Sequence, residues 1–253
     1  KTIFPIPLAL GCTFSPEAAK TAGDVMARES AADGLHVTFA PMVDLVRDAR
    51  WGRVMESTGE DPYLNSRMAE AMVRGIQGDG EHYEEHLGAC TKHFAAYGAP
   101  TAGKEYNNVE LSERTLREDY LPAYQAAVDA GSAMMMTSFN TLDRIPATGN
   151  QWLMRKVLRE EMGFEGVLVS DYNAIGELIT HGVAEDRKEA ARQAIEAGTD
   201  MDMMGGCYMT GLEDLVKEGK IGEELIDEAV LRILRLKNKL GLFENPYRGL
   251  EKN

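Results

Sequence analysis

The chain has 253 residues, 41 of them acidic and 27 basic, which gives a formal net charge of −14. Such a field argues against nucleic acid or a membrane surface as partner, because each phosphate contact needs a Lys or Arg. Hydrophobic residues at 44% and charged residues at 27% exclude a disordered, collagenous or coiled-coil chain.

Roughly 250 residues is the usual size of a (β/α)8 barrel, and two small domains fit the same length. No apolar run approaches the roughly 20 residues that cross a bilayer. The start Lys1-Thr2-Ile3-Phe4 has neither an initiator Met nor the apolar stretch of a signal peptide, so the chain reads as a processed or excised piece. Cys12, Cys90 and Cys207 are too few and too scattered for a disulfide framework and lack CxxC spacing, and they read as small buried apolar residues.

In chain order, a weak apolar run at residues 6–11 is a doubtful strand. Ser15-Pro16 then predicts a helix start, an N-cap before proline at the first helical position, and Gly34 its end. Residues 36–42 read as a strand, Asp61-Pro62 as a second helix start ending near Gly78, and residues 89–94 as a strand. A helix from Ser112 carries Pro122, which predicts a kink or break, and ends near Gly131. Strands follow at 133–139, 166–170 and 199–204, and helices at 150–162, 184–197 (before Gly198) and 223–240. The methionines at 134–136 and 201–204 read as strand core near a barrel axis. This alternation is the pattern of βα units around a parallel sheet, an α/β fold. Five clear strands and one doubtful one fall short of the eight of a closed barrel. Residues 241–253, with Pro246, read as a linker.

The downstream ends of the apolar runs carry polar residues: Asp44, Lys92-His93, Asn140, Asp171 and Asp202. In a parallel barrel these ends converge on one face, where active sites are built. Asp171 ends a buried strand, Gly166-Val167-Leu168-Val169-Ser170, and a carboxylate fixed there can attack a sugar, act as a base, bind a metal or simply cap the next helix. For Lys92 and His93 to reach one ligand, a bulged or terminal geometry is required, because successive strand residues point to opposite faces. The segment 48–62 holds Trp51 and six charged residues without helical spacing. Arg50, Glu56, Glu60 and Asp61 read as braces within this loop, and Arg53 as the one able to project into a pocket. The histidines His36, His82, His86, His93 and His181 show no zincin spacing, and His82 and His86 read as an exposed pair. No GxSxG, GxxxxGK[ST] or GxGxxG occurs.

The segments FAPMVDLVRDARWGRVMESTGEDPYL, TKHFAAYG, SFNTLDRIPAT and GFEGVLVSDYNAIGEL resemble, in order and spacing, the N-terminal domain of glycoside hydrolase family 3, and most closely its bacterial periplasmic β-glucosidases. The resemblance implies a TIM-type (β/α)8-like barrel over residues 1–240, incomplete at its N-terminal end in this chain. Residues 241–253 would lead to an absent C-terminal α/β-sandwich domain of the same parent protein. It implies a retaining, exo-acting β-glycosidase with Asp171 as nucleophile. Arg53, Lys92 and His93 would bind hydroxyls of the sugar at subsite −1, where cationic donors favour an ionised carboxylate. Lys104 falls where relatives often have Arg and would be a weaker sugar contact. Phe139 falls where many members have Tyr and so lacks a hydroxyl, and Tyr172 would line the mouth near subsite +1.

The family's acid/base Glu comes from the second domain, and a further substrate-binding Asp lies upstream of Lys1. The substrate implied is an oligosaccharide or β-glucoside, with no cofactor and no metal, in the periplasm or outside the cell. The KHFAAYG loop has Tyr97 where the N-acetylglucosaminidase branch has a second His, which argues against that branch. A β-xylosidase or β-glucan exohydrolase, a catalytically silent sugar-binding barrel, and a metal-dependent hydrolase using Asp44, Asp171 and Asp202 are the competing readings.

Overall fold

The computed structural model describes residues 1–81 and 83–250. Residues 6–11 are not a strand: Pro7–Gly11 forms a one-turn helix, α1. Proline fixes a helical φ and has no N–H to leave unpaired in a first turn, which outweighs the apolar pattern. Both predicted helix starts are present. Ser15 accepts the Ala18 N–H at the head of α2 (Pro16–Ala31), and Asp61 accepts the Leu64 N–H at 2.7 Å at the head of α3 (Pro62–Gln77). These two helices cross closely, because Gly75 has no side chain where a Cβ would lie 2.2 Å from the Lys20 carbonyl oxygen.

Four parallel strands form the main sheet in the order β1-β2-β4-β7: β1 (Val37–Thr38), β2 (Gly88–Phe94), β4 (Met134–Thr137) and β7 (Val167–Val169). Each crossover is helical, as parallel pairing demands. The fifth predicted strand, 199–204, reduces to a single bridge between Met201 and Val169. A small second sheet, β3 (Asn108–Val109), β5 (Thr141–Leu142) and β6 (Ile145–Pro146), lies in the connections that follow β2 and β4. The sheet is α/β and parallel as expected, and among the described residues it does not close into a barrel.

Ser112 caps α4 (Glu113–Thr115), which runs through a wide turn at Leu116–Tyr120 into α5 (Pro122–Asp129), so Pro122 marks the break that its missing N–H requires. The helix predicted at 150–162 is a wide π-type helix over Trp152–Glu161. Then come α6 (Glu177–Thr180), α7 (Arg187–Ala197), α8 (Cys207–Lys217) and α9 (Glu223–Lys239). Helix α8 was not anticipated from the sequence. The segment 241–250 folds back as turns, with Arg248 buried and donating to the Tyr83 carbonyl.

Met134, Met135 and Met136 are core residues, but Met204 is 74% exposed because the strand it was assigned to has ended. Cys90 and Cys207 are buried as expected, whereas Cys12, just past α1, is exposed. His86 is half-buried, its Nε2 2.9 Å from an Asp24 oxygen, rather than free at the surface; His82 lies outside the described residues.

At the N-terminal end of the sheet a buried carboxylate holds β7 to its helices. Asp200 accepts the Leu168 N–H and Arg159 Nη2 on one oxygen, each at 2.8 Å, and Arg232 Nη1 on the other, also at 2.8 Å. Asp200→Ala leaves two largely buried guanidinium groups without their shared partner and is expected to cost about 3–5 kcal/mol in chemical denaturation. A loss within the range of an exposed ion pair, below about 1 kcal/mol, would refute this role.

Candidate active site

At the other end of the sheet the strand termini bring together the groups that the sequence analysis singled out. A parallel bridge from Met42 to Lys92 extends the first strand, and two residues later Asp44 lies 1% exposed. Its Oδ2 lies 2.7 Å from the His93 ring Nδ1 and accepts the His93 backbone N–H at 3.2 Å. The Tyr124 hydroxyl, from α5, lies 2.9 Å from Asp44 Oδ1 and 2.5 Å from the His93 carbonyl, so its one proton is shared between two acceptors. On the far side of the ring, His93 Nε2 lies 3.4 Å from Asp171 Oδ2. The result is a buried row of carboxylate, imidazole and carboxylate.

The irregular geometry that the Lys92-His93 pair requires is present: the β2–β4 register shifts between Thr91 and Phe94, and the Lys92–His93 and Phe94–Ala95 peptide bonds are cis. Lys92 lines a cavity together with Glu56 and Met42, and the His93 ring lies between Asp44 and Asp171. Gly98, just downstream, has no room for a side chain, since a Cβ would lie 2.2 Å from the Leu45 carbonyl oxygen. That contact holds the loop after β2 against the segment carrying Asp44.

Asp171 follows β7 directly, and its Oδ1 accepts the Tyr172 backbone N–H at 2.6 Å, leaving Oδ2 facing His93. The Tyr172 ring is 61% exposed at the rim.

Arg53 is held by a bidentate pair with Glu56, at 2.7 and 2.8 Å, and its guanidinium lies 5.7 Å from the Tyr97 ring centroid. Burial works against the Arg53 charge, but the bonds to Glu56 and the nearby Asp44 charge outweigh it, so its pKa ends above the ordinary value. Tyr97, fully buried, is the hub of an aromatic wall: Trp51, His93 and Phe139 lie 5.4, 5.2 and 5.8 Å away by ring centroids, and Tyr106 lies 4.5 Å from Phe139. The Tyr97 hydroxyl donates to Glu105 Oε2 at 2.5 Å, and burial together with that carboxylate pushes its pKa well up.

Of the expected sugar contacts, Arg53, Lys92, His93 and Phe139 gather around this row with Asp171, and Tyr172 stands at its rim. Lys104 is exposed and no contact ties it to them; its neighbour Glu105 turns inward instead. Asp202 does not join Asp44 and Asp171, because its oxygens accept the backbone N–H groups of Gly205, Cys207 and Tyr208 at the head of α8. Asn140 braces the loop after β2 through the Ala95 carbonyl. Arg50 and Asp61 are structural as read, Arg50 on Asp48 and Asp61 as the cap of α3. Tyr97, Glu105, Tyr124 and Glu177 surround this row without having been singled out in the sequence. Glu177 alone carried a signal, since it opens the helical segment six residues after Asp171.

Half-buried Glu177 feels desolvation first and the Asp171 charge second, which together lift its pKa from the ordinary 4.5 to about 6. A carboxyl whose pKa is raised in the folded state favours folding below the unfolded value and loses that advantage as pH rises through the folded one. Melting temperatures of wild type and Glu177→Gln are therefore expected to converge below pH 4.5 and to separate, with the variant the more stable, up to about pH 6. A gap that does not change with pH would refute the assignment.

A buried carboxylate at a strand end, flanked by an imidazole, a guanidinium and aromatic walls, is a lining suited to a small polar ligand with an apolar face. Residues 1–236 match the glycosyl hydrolase family 3 N terminal domain, and the chain belongs to that family. It is 47% identical over 250 residues to a periplasmic beta-glucosidase of Salmonella typhimurium, covering 99% of this chain and 33% of that protein. A putative beta-xylosidase of Formosa agariphila is 40% identical over 254 residues, with 99% and 34% covered. The crystal structure of a beta-glucosidase from Listeria innocua in complex with glucose superposes with a TM-score of 0.98 at 59% identity, over 100% of this chain and 36% of that one. The chain thus spans about a third of the length of the relatives it matches. Among the described residues no helix is long and apolar enough to cross a membrane.

Proposed function

We propose that this chain carries the nucleophile and the sugar clamp of a retaining, exo-acting β-glycosidase that acts on terminal β-D-glucosyl residues. The observation that carries this reading is Asp171, held at the end of β7 with one oxygen on a backbone N–H and the other beside His93. In the first step the Asp171 carboxylate forms a bond to the anomeric carbon as the bond to the leaving oxygen breaks. That oxygen takes the electron pair, together with a proton from a general acid. In the second step water attacks the same carbon, the ester bond to Asp171 breaks, and the carboxylate is regenerated. Arg53, Lys92 and His93 supply hydrogen bonds to sugar hydroxyls that strengthen as positive charge develops on the ring.

The proton donor is assigned to a Glu in a C-terminal domain outside these residues, in keeping with relatives about three times as long. The same relatives favour a periplasmic or secreted location and a β-glucoside or oligosaccharide substrate. No cofactor enters either step.

Incubation with a dinitrophenyl 2-deoxy-2-fluoro-β-glucoside, whose leaving group needs no proton, is expected to give one stoichiometric adduct by intact-mass spectrometry, mapped to the peptide bearing Asp171. Asp171→Asn is expected to give none. An adduct elsewhere, or no adduct on the wild type, would overturn the nucleophile assignment and favour a silent sugar-binding barrel. Running the fluoroxyloside alongside decides between glucoside and xyloside preference, a comparison that the β-xylosidase relative calls for. With the chain alone, release of glucose from an unactivated disaccharide is expected to be undetectable on the timescale of labelling, and rapid release would overturn the assignment of the acid to a separate domain.

A further inference from the structure

We propose that Asp44 is a positioning residue for the reaction: acting through His93, it fixes the orientation of that ring beside Asp171 and decides which ring nitrogen faces the sugar. This rests on the reading of Asp171 as nucleophile and extends it to a group that does not touch substrate.

Asp44 is 1% exposed and sits behind the ring, on the side away from Asp171, so it has no route to a sugar. A carboxylate accepts and does not donate, so the 2.7 Å contact places a proton on His93 Nδ1. The neutral ring then presents the Nε2 lone pair towards Asp171, and the imidazolium presents an Nε2–H. Asp44 is itself fixed at both oxygens, by the His93 backbone N–H and the Tyr124 hydroxyl, so the ring has a rigid anchor.

The groups facing the ring come from five segments. Asp44 lies beyond the first strand, Asp171 after β7, Tyr97 in the loop after β2, and Tyr124 on α5. The Arg53–Glu56 pair lies in the charged loop, at longer range. Asp44 is the one among them in hydrogen-bond contact with Nδ1.

Two measurements test the proposal. The first is nitrogen NMR of histidine-labelled wild-type chain, with His93→Gln to assign the signal. The neutral His93 ring is expected to carry its proton on Nδ1; a neutral ring protonated on Nε2 would overturn the proposal whatever the variants do. The second is the rate at which the fluoroglucosyl adduct accumulates on Asp171 as a function of fluoroglucoside concentration. Asp44→Asn is expected to label about 10- to 100-fold more slowly, the range seen when partners that orient a histidine are removed. Because Asp44 touches no sugar, the loss is expected in the limiting labelling rate and not in the fluoroglucoside concentration that gives half of it, a split that a purely structural substitution would not produce. Tyr124→Phe, nearly isosteric, is expected to slow labelling roughly fivefold through loss of one hydrogen bond, and it decides the matter if Asp44→Asn does not fold. Wild-type labelling with unchanged limiting rates in the folded variants would overturn the role of Asp44 alone. Absence of the wild-type adduct would overturn the nucleophile reading beneath it.

Discussion

A carboxylate removed almost completely from water is tolerated only when donors meet both oxygens, and the candidate site is arranged around that requirement at Asp44. The donors come from different parts of the chain: the ring and backbone of His93 in β2, and the hydroxyl of Tyr124 on α5. Satisfying Asp44 therefore fixes how the first strand, the second strand and one crossover helix meet. The irregular end of β2 follows from the same demand, since one residue must offer both its N–H and its imidazole to a neighbouring carboxylate. With that ring fixed, its other nitrogen faces Asp171.

The opposite end of the sheet solves the same problem for a different purpose. Asp200 is equally buried, but its donors are two guanidinium groups and a strand N–H, all of which tie helices to β7. Each of its oxygens is occupied by structure. Asp171 differs: one oxygen is held by a backbone N–H and the other faces only a ring nitrogen of His93, at 3.4 Å. This difference in how the oxygens are occupied separates a carboxylate that is used up in holding the fold from one that keeps an oxygen available.

Much of this was legible in the sequence where chemistry is local. Ser15-Pro16, Asp61-Pro62 and Pro122 announced their helix boundaries through capping and the missing proline N–H, and the Val- and Met-rich runs announced buried parallel strands. What failed were short apolar runs whose fate tertiary contacts decide. Residues 6–11 became helix, and 199–204 kept one bridge because Asp200 and Asp202 turn to guanidiniums and to the head of α8. Asp44, His93 and Asp171 could be named because each ends a strand. Tyr97 and Glu105 sit in irregular loops and Tyr124 on a helix face, where no periodicity separates a site residue from a core one; their roles emerge only from contacts between distant segments.

Those distances in sequence have a kinetic side. His93 lies 49 residues from Asp44, and Tyr124 lies 80 residues from it. Contacts of such separation close large loops before they return any stabilisation, which slows folding and concentrates it late in the process. Local turns of α2 or α9 can form early, but the row of carboxylate, imidazole and carboxylate exists only when the sheet is nearly complete. A partly folded chain therefore lacks the row altogether, and the contact between His93 and Asp171 reports that the whole sheet has assembled.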